Sequence, residues 1–173
     1  MTVTRYALFH TSLGTSAIAW GERGIVRTFL PEPSAEGVRA RLLRRIPGAS
    51  ESEPPGDVRR AITEITRLFA GEPVDLTWVQ LDDATVPELH RRVYAAARTI
   101  PPGSTLTYGE IARRLGDVAL ARKVGEALGH NPFPIVVPCH RVLAAGGRTG
   151  GFSARGGTDT KMQLLRIEGA VLL

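Results

Sequence analysis

Apolar and polar positions alternate through the first thirty residues and then switch to helical spacing. Arg5 to Phe9, Ser16 to Trp20 and Gly24 to Leu30 are short alternating segments separated at Gly14 and at Gly21 to Gly24, the pattern of a small antiparallel meander. Ser34 is placed to cap a helix carrying Val38, Leu42, Leu43 and Ile46, which Pro47-Gly48 ends. Residues 47–56, rich in Pro, Gly, Ser and Glu, read as a loop. Val58, Ala61, Ile62, Ile65, Leu68 and Phe69 then recur at helical spacing, and Gly71 and Pro73 stop that helix. Val74, Leu76 and Trp78 alternate again and predict a last strand.

Asp82 to Ala84 read as a linker, and the second half is helical. Thr85 with Glu88 forms a capping-box pattern around Pro87, opening a helix with Leu89, Val93, Ala97 and Ile100 on one face. Thr107 with Glu110 repeats the pattern before Ile111, Ala112 and Leu115. Gly116-Asp117 turns the chain, and a further helix runs from about Ala119 to Leu128 with Gly129 as its cap. Two short helices about a tight turn make a helix-turn-helix pattern, which many helical domains also show by chance. On the second helix Leu120, Val124, Ala127 and Leu128 share one side; Ala121, Arg122, Gly125 and Glu126 share the other. Small residues beside one arginine allow close approach to a duplex groove, although an ordinary solvated face reads the same way and Glu126 would be repelled by phosphates.

The length of 173 residues accommodates one ordinary domain or two small ones sharing a core, and the boundary predicted here divides 1–81 from 82–173. No apolar run approaches the roughly 18 residues that a membrane-spanning helix needs. Met1 to Gly14 has no long apolar stretch, so no secretory signal is expected, and the cytosol is the expected compartment. Cys139 is the only cysteine, which excludes an internal disulfide and a thiolate-rich zinc site. Net charge is +5, and of 22 basic residues only Lys123 and Lys161 are lysines. Such a surface attracts polyanions, though an arginine-rich composition alone does not decide the partner.

The densest chemistry lies between Asn131 and Val142. A lone cysteine is usually a small buried hydrophobe. Here it follows an apolar segment, Ile135-Val136-Val137, expected as a strand, and then Pro138, while His140 and Arg141 follow at once. Nearby positive charge favours thiolate over thiol. In an extended chain adjacent side chains point apart, so His140 would act on Cys139 through a water if the backbone turns there. Glu168, in the last predicted helix, is a candidate partner to orient the histidine. By itself this set also suits a Cys-His hydrolase, or a helix-turn-helix regulator in which the cysteine is structural.

Pro138-Cys139-His140-Arg141-Val142 resembles the active-site signature of the O6-alkylguanine-DNA alkyltransferases. Thr107-Tyr108-Gly109-Glu110, Ala121-Arg122-Lys123-Val124-Gly125, Gly129-His130-Asn131-Pro132 and Gly150-Gly151-Phe152-Ser153 are similar to further family motifs, in the family's order, over about 86–169. The resemblance implies an α+β chain: a small sheet-and-helix, RNase H-like supporting domain, then a winged helix-turn-helix domain. It also implies irreversible, single-turnover transfer of an alkyl group from O6-alkylguanine in duplex DNA to Cys139 after base flipping, by a monomer without cofactor or metal. His140 would deprotonate Cys139, Glu168 would orient His140, and Asn131 would fix the turn between helix and cysteine. Arg122 would fill the gap in the stack, beside Ala121, Lys123 and Gly125 on the DNA face. Tyr108 would turn the nucleotide's phosphate and protonate the departing guanine. Ser153 would contact O6, Phe152 would pack at the pocket, and the backbone at Cys139 and Val142 would read the exocyclic amine. Lys123 and the length of the loop from Ser153 to Gly157 depart from the commoner family pattern, leaving the range of alkyl groups, and of O4-alkylthymine, open.

Overall fold

The alternating segments form a meander. β1 (Arg5–Thr11), β2 (Gly14–Gly21) and β3 (Gly24–Glu32) pair antiparallel, with β2 central. The structure, a computed structural model, describes residues 3–147 and 157–170. Gly24 occupies φ +131, and a Cβ there would lie 2.7 Å from the carbonyl oxygen of Gln80, so both backbone conformation and close approach demand glycine. α1 (Ala35–Arg45) begins at Ser34, whose Oγ accepts from the Gly37 N–H at 3.0 Å. Its Val38 and Leu42 close over Tyr6, Ala17, Ala19 and Phe29 of the sheet. Leu43, expected in the same stripe, is 37% exposed. α2 (Gly56–Phe69) buries Val58, Ala61, Ile65, Leu68 and Phe69.

Two expectations fail in this half. Residues 74–78 are irregular, with a turn at Thr77 and Trp78, rather than a strand: Asp75 Oδ1 accepts from the Thr77 N–H at 2.9 Å, and this local bond competes with strand pairing. Val74 and Leu76 are buried all the same. The segment expected as pure loop contains β4 (Ser50–Glu51), paired parallel with β1.

The chain divides into two compact units, Met1–Ala84 with Pro132–Pro134, and Thr85–Asn131 with Ile135–Leu173. A simple cut in the linker misses the short excursion at 132–134. Those residues join the first unit because the Pro132 carbonyl accepts from the Thr28 N–H (3.1 Å) and the Pro134 carbonyl from Thr28 Oγ1 (2.8 Å).

In the second unit α3 (Glu88–Ala97) starts after Pro87 rather than at Thr85. The residue before a proline is driven out of the helical region, and Pro87 itself has ψ 148, so the Thr85 capping box does not form. The second capping position does form: Thr107 Oγ1 accepts from the Glu110 N–H at 3.0 Å and opens α4 (Tyr108–Arg114). A 3₁₀ turn at Val118–Leu120 precedes α5 (Ala121–Gly129), so the second helix of the pair starts later than its periodicity implies. Gly129 is its last helical residue and His130 its cap, at φ −102, so no left-handed glycine ends it. Tyr94 Oη donates to the Ala127 carbonyl at 2.7 Å, tying α3 to α5. β5 (Leu106–Thr107) and β6 (Val142–Leu143) form a parallel pair that the local pattern does not announce. α6 (Gly157–Ile167) packs Leu165 against Leu143 and Ala170. The architecture is α+β, and no described helix is long and apolar enough to cross a membrane.

Candidate active site

Cys139 does not end a strand. Ile135 and Val136 form a turn, with Ile135 at φ 77, a left-handed conformation that is costly for a β-branched residue. Cys139 then opens a 3₁₀ turn, Cys139–Arg141, in which the Arg141 N–H bonds to the Pro138 carbonyl at 2.9 Å. Pro138, lacking an N–H, fits the entry to this turn. Asn131, just past α5, donates through Nδ2 to the Val137 carbonyl at 2.9 Å and also bonds the cysteine side chain. One amide thus fixes both ends of the bend.

Cys139 is only 7% exposed. Burial pushes its thiol pKa up; the Asn131 amide, the charge of Lys161 and the backbone N–H groups of Cys139 and His140 oppose that rise in part. The adjacent cations expected to favour the thiolate are turned elsewhere. Arg141 donates from Nε and Nη2 to the two oxygens of Glu168, at 2.9 and 2.7 Å, and from Nη1 to the Ile100 carbonyl at 2.6 Å. Its fork is spent on holding a carboxylate. His140 is fully buried, with Nε2 2.9 Å from Glu168 Oε1. That approach is off the line of a well-formed hydrogen bond and becomes an ion pair only when the imidazole is protonated, and Nδ1 has no protein partner among the described residues. Burial lowers the His140 pKa, only partly opposed by Glu168, and Arg141 and Lys161 depress it further.

Glu168 lies one residue beyond α6, its N–H continuing the helical ladder to the Leu164 carbonyl. Burial alone would raise its pKa, but the two Arg141 bonds and the His140 contact outweigh that and hold it at about 2. It is ionised at every working pH. Tyr108, the first residue of α4, is half-buried, and burial together with the nearby Cys139 raises its pKa, so it keeps its phenolic proton.

On α5, Arg122 and Lys123 are exposed, Ala121 and Gly125 are partly so, and Val124, Ala127 and Leu128 are buried. A Cβ at Gly125 would meet nothing within 4 Å, so packing inside the chain does not call for glycine there. Val142 is buried in β6. Phe152 and Ser153 lie outside the described residues.

The structure therefore gathers Cys139, His140, Glu168, Asn131, Tyr108 and Val142 in one unit and leaves Arg122 on its surface. Two roles escaped the sequence reading. Arg141 clamps Glu168. Lys161 is fully buried, and its Nζ donates to the Val142 carbonyl at 2.7 Å. A signal for it existed: positions 161, 164, 165 and 168 fall on one helix face, so a lysine, one of only two, stands in the stripe with Leu164, Leu165 and Glu168.

Fold and site together define a helix-turn-helix protein with a buried, hydrogen-bonded cysteine at the entry of a tight turn. The family described as 6-O-methylguanine DNA methyltransferase, DNA binding domain, matches residues 88–170. A methylated-DNA–protein-cysteine methyltransferase of Methanothermobacter thermautotrophicus is 36% identical over 155 residues, which is 90% of this chain and 80% of that protein. Its counterpart in Mycolicibacterium paratuberculosis is 44% identical over 117 residues, 68% of each chain. Among solved structures, Mycobacterium tuberculosis OGT in complex with DNA aligns with a TM-score of 0.76 at 32% identity, covering 95% of this chain and 92% of that one. The chain belongs to the methylated-DNA–protein-cysteine methyltransferase family, enzymes of DNA repair.

Proposed function

We propose that this chain reverses alkylation damage by moving an alkyl group from O6 of guanine in duplex DNA onto Cys139, once per molecule. The observation that carries the reading is the buried Cys139 sulfur, bonded by Asn131 beside a His140–Glu168–Arg141 chain, in a unit that presents Arg122 on a helix of small residues.

The lesion leaves the stack because O6-alkylguanine pairs badly and costs less to extrude, and Arg122 fills the space it vacates. Ala121 and Gly125 let α5 approach the groove, and Lys123 adds a phosphate contact and salt dependence. The thiol proton passes through a water to Nδ1 of His140, whose Nε2 faces Glu168. The carboxylate fixes the ring and favours the imidazolium while Arg141 holds the carboxylate in place. The sulfur then attacks the alkyl carbon in line; a C–S bond forms as the C–O bond breaks. Tyr108 gives its proton to the leaving guanine, so no anion departs. Nucleophile, base and acid are all side chains, and the step calls for no cofactor or metal. The Val142 carbonyl, bonded to Lys161, keeps a second lone pair for the guanine amine. The product is a thioether that water does not hydrolyse, so the protein is consumed.

Mass spectrometry of the Cys139 peptide after incubation with a duplex containing O6-methylguanine tests this. One added methyl per chain, with the duplex restored to guanine, is expected. An unmodified peptide with tight lesion binding would instead mark a sensor, and repeated turnover of a soluble ester without DNA would mark a hydrolase; either overturns the proposal.

A further inference from the structure

A lysine side chain that is 0% exposed needs a reason, because lysine is almost never fully buried unless its charge is matched. On the apolar face of α6 a methionine or leucine would fill the same space without bringing an ammonium group out of water. Lys161 Nζ lies 2.7 Å from the carbonyl of Val142, three residues beyond Cys139, and 5.7 Å from the centre of the Tyr108 ring. It is thus anchored between the turn that carries the sulfur and the phenol at the head of α4. Burial lowers its pKa to about 8, and the charge of Cys139 acts in the opposite direction, holding the proton on. Among the described residues, the charged and titratable groups near it include Cys139 and His140 from the 3₁₀ turn and Tyr108 from α4, while Glu168 is engaged by both Arg141 and His140.

The reaction creates the need for such a cation. The Cys139 thiol is pushed up and the His140 imidazole down, so moving a proton from one to the other is uphill in the resting protein. Arg141 contributes nothing favourable, since it binds Glu168 and lowers the basicity of His140. We propose that Lys161 is the buried countercharge of the Cys139 thiolate, a positioning residue that stabilises the anion formed when the thiol proton leaves, until alkyl transfer removes the charge it balances. This rests on the alkyl-transfer reading above. Sulfur and ammonium titrate as a couple: a protonated Lys161 favours the thiolate, and the thiolate in turn favours the proton on Lys161. Conversion of the thiolate to a neutral thioether breaks the couple, and the ammonium then holds its proton less tightly.

The composition makes this directly measurable, because Lys123 and Lys161 are the only lysines. Protein labelled with 13C at lysine Cε gives two side-chain resonances, one from the exposed Lys123 on α5 and one from Lys161. In Cys139→Ala, and in protein methylated at Cys139 by an O6-methylguanine duplex, the titration midpoint of Lys161 is expected to fall by at least one pH unit, a tenfold weaker hold on the proton, with Lys123 unmoved. A Lys161 midpoint unchanged by loss of the sulfur overturns the inference. If the duplex leaves Cys139 unmethylated while Cys139→Ala still shifts Lys161, the countercharge stands and the repair reading fails. If Cys139 is methylated and Lys161 does not move, repair stands and the countercharge fails. Lys161→Met adds a kinetic readout. The pH midpoint for alkylation of Cys139 by iodoacetamide should rise by a unit or more, whereas a lysine that only fills space would change stability and leave that midpoint in place.

Discussion

Replacing Glu168 by glutamine isolates the charge that organises the site. The Glu168 side chain is 3% exposed, and Arg141 meets it with two hydrogen bonds and His140 with one ion-pair contact. Its pKa of about 2 against an ordinary 4.5 corresponds to a contribution near neutral pH of about 3 kcal/mol, at ~1.4 kcal/mol per unit. Removing one partner of a buried pair costs about 3–5 kcal/mol by a separate route, so the two agree in size. The sign follows from the depressed folded value. The contribution is fully present above pH 4.5 and is lost as pH falls through about 2, leaving less than half of it at pH 3. Urea unfolding followed by far-UV circular dichroism is the suitable assay, because Trp20 and Trp78 both lie in the first unit and would not report on α3 to α6. Glu168→Gln should be about 3 kcal/mol less stable than the parent at pH 7, with the gap narrowing by about half or more at pH 3. A loss under about 1 kcal/mol at pH 7, or a gap of equal size at both pH values, would refute the claim that the ionised carboxylate stabilises the turn.

Three further substitutions separate the roles of other residues. Arg122→Ala should slow alkyl transfer from duplex DNA by tenfold or more while leaving transfer from free O6-benzylguanine nearly unchanged; equal losses on both substrates, in parallel single-turnover assays, would remove the stack-filling role. Tyr108→Phe keeps the ring and deletes the proton, so the rate of methyl transfer should drop by about a hundredfold or more in rapid-quench experiments, and a rate within twofold of the parent would rule out the phenol as the acid. Gly24→Ala forces a Cβ at φ +131 to within 2.7 Å of the Gln80 oxygen; a loss of roughly 1–3 kcal/mol is expected in urea unfolding followed by tryptophan fluorescence, and an unchanged midpoint would mean the turn relaxes freely.

What could be read from the chain alone was the part determined by near neighbours. The caps at Ser34 and Thr107 and the meander follow from residues a few positions apart, and each formed. Cys139, His140 and Glu168 were legible as candidates from the residues themselves, and Asn131 and Tyr108 only through the family resemblance. Their geometry was not, since whether Pro138 continues a strand or opens a 3₁₀ turn depends on the Asn131–Val137 bond formed across the bend. The parallel pairs β1–β4 and β5–β6 join strands far apart in sequence with two residues in each short partner, too few for periodicity to register. Arg141 was read as a helper of the thiolate because it is adjacent in sequence, but side-chain reach sends it to Glu168, 27 residues on. Thr85 lost its expected cap to the stronger restriction imposed by Pro87.

Ile135, at φ 77, sets durability against performance. Glycine would relieve the torsion there, and a campaign that scored variants by melting temperature alone would be drawn to it. The same exchange would give a freer joint to the short stretch that ends at the sulfur, blurring an alignment that a one-shot displacement has no second chance to find. Toughening this protein and preserving its aim are competing goals at that residue, and the stiff, mildly unfavourable isoleucine favours aim.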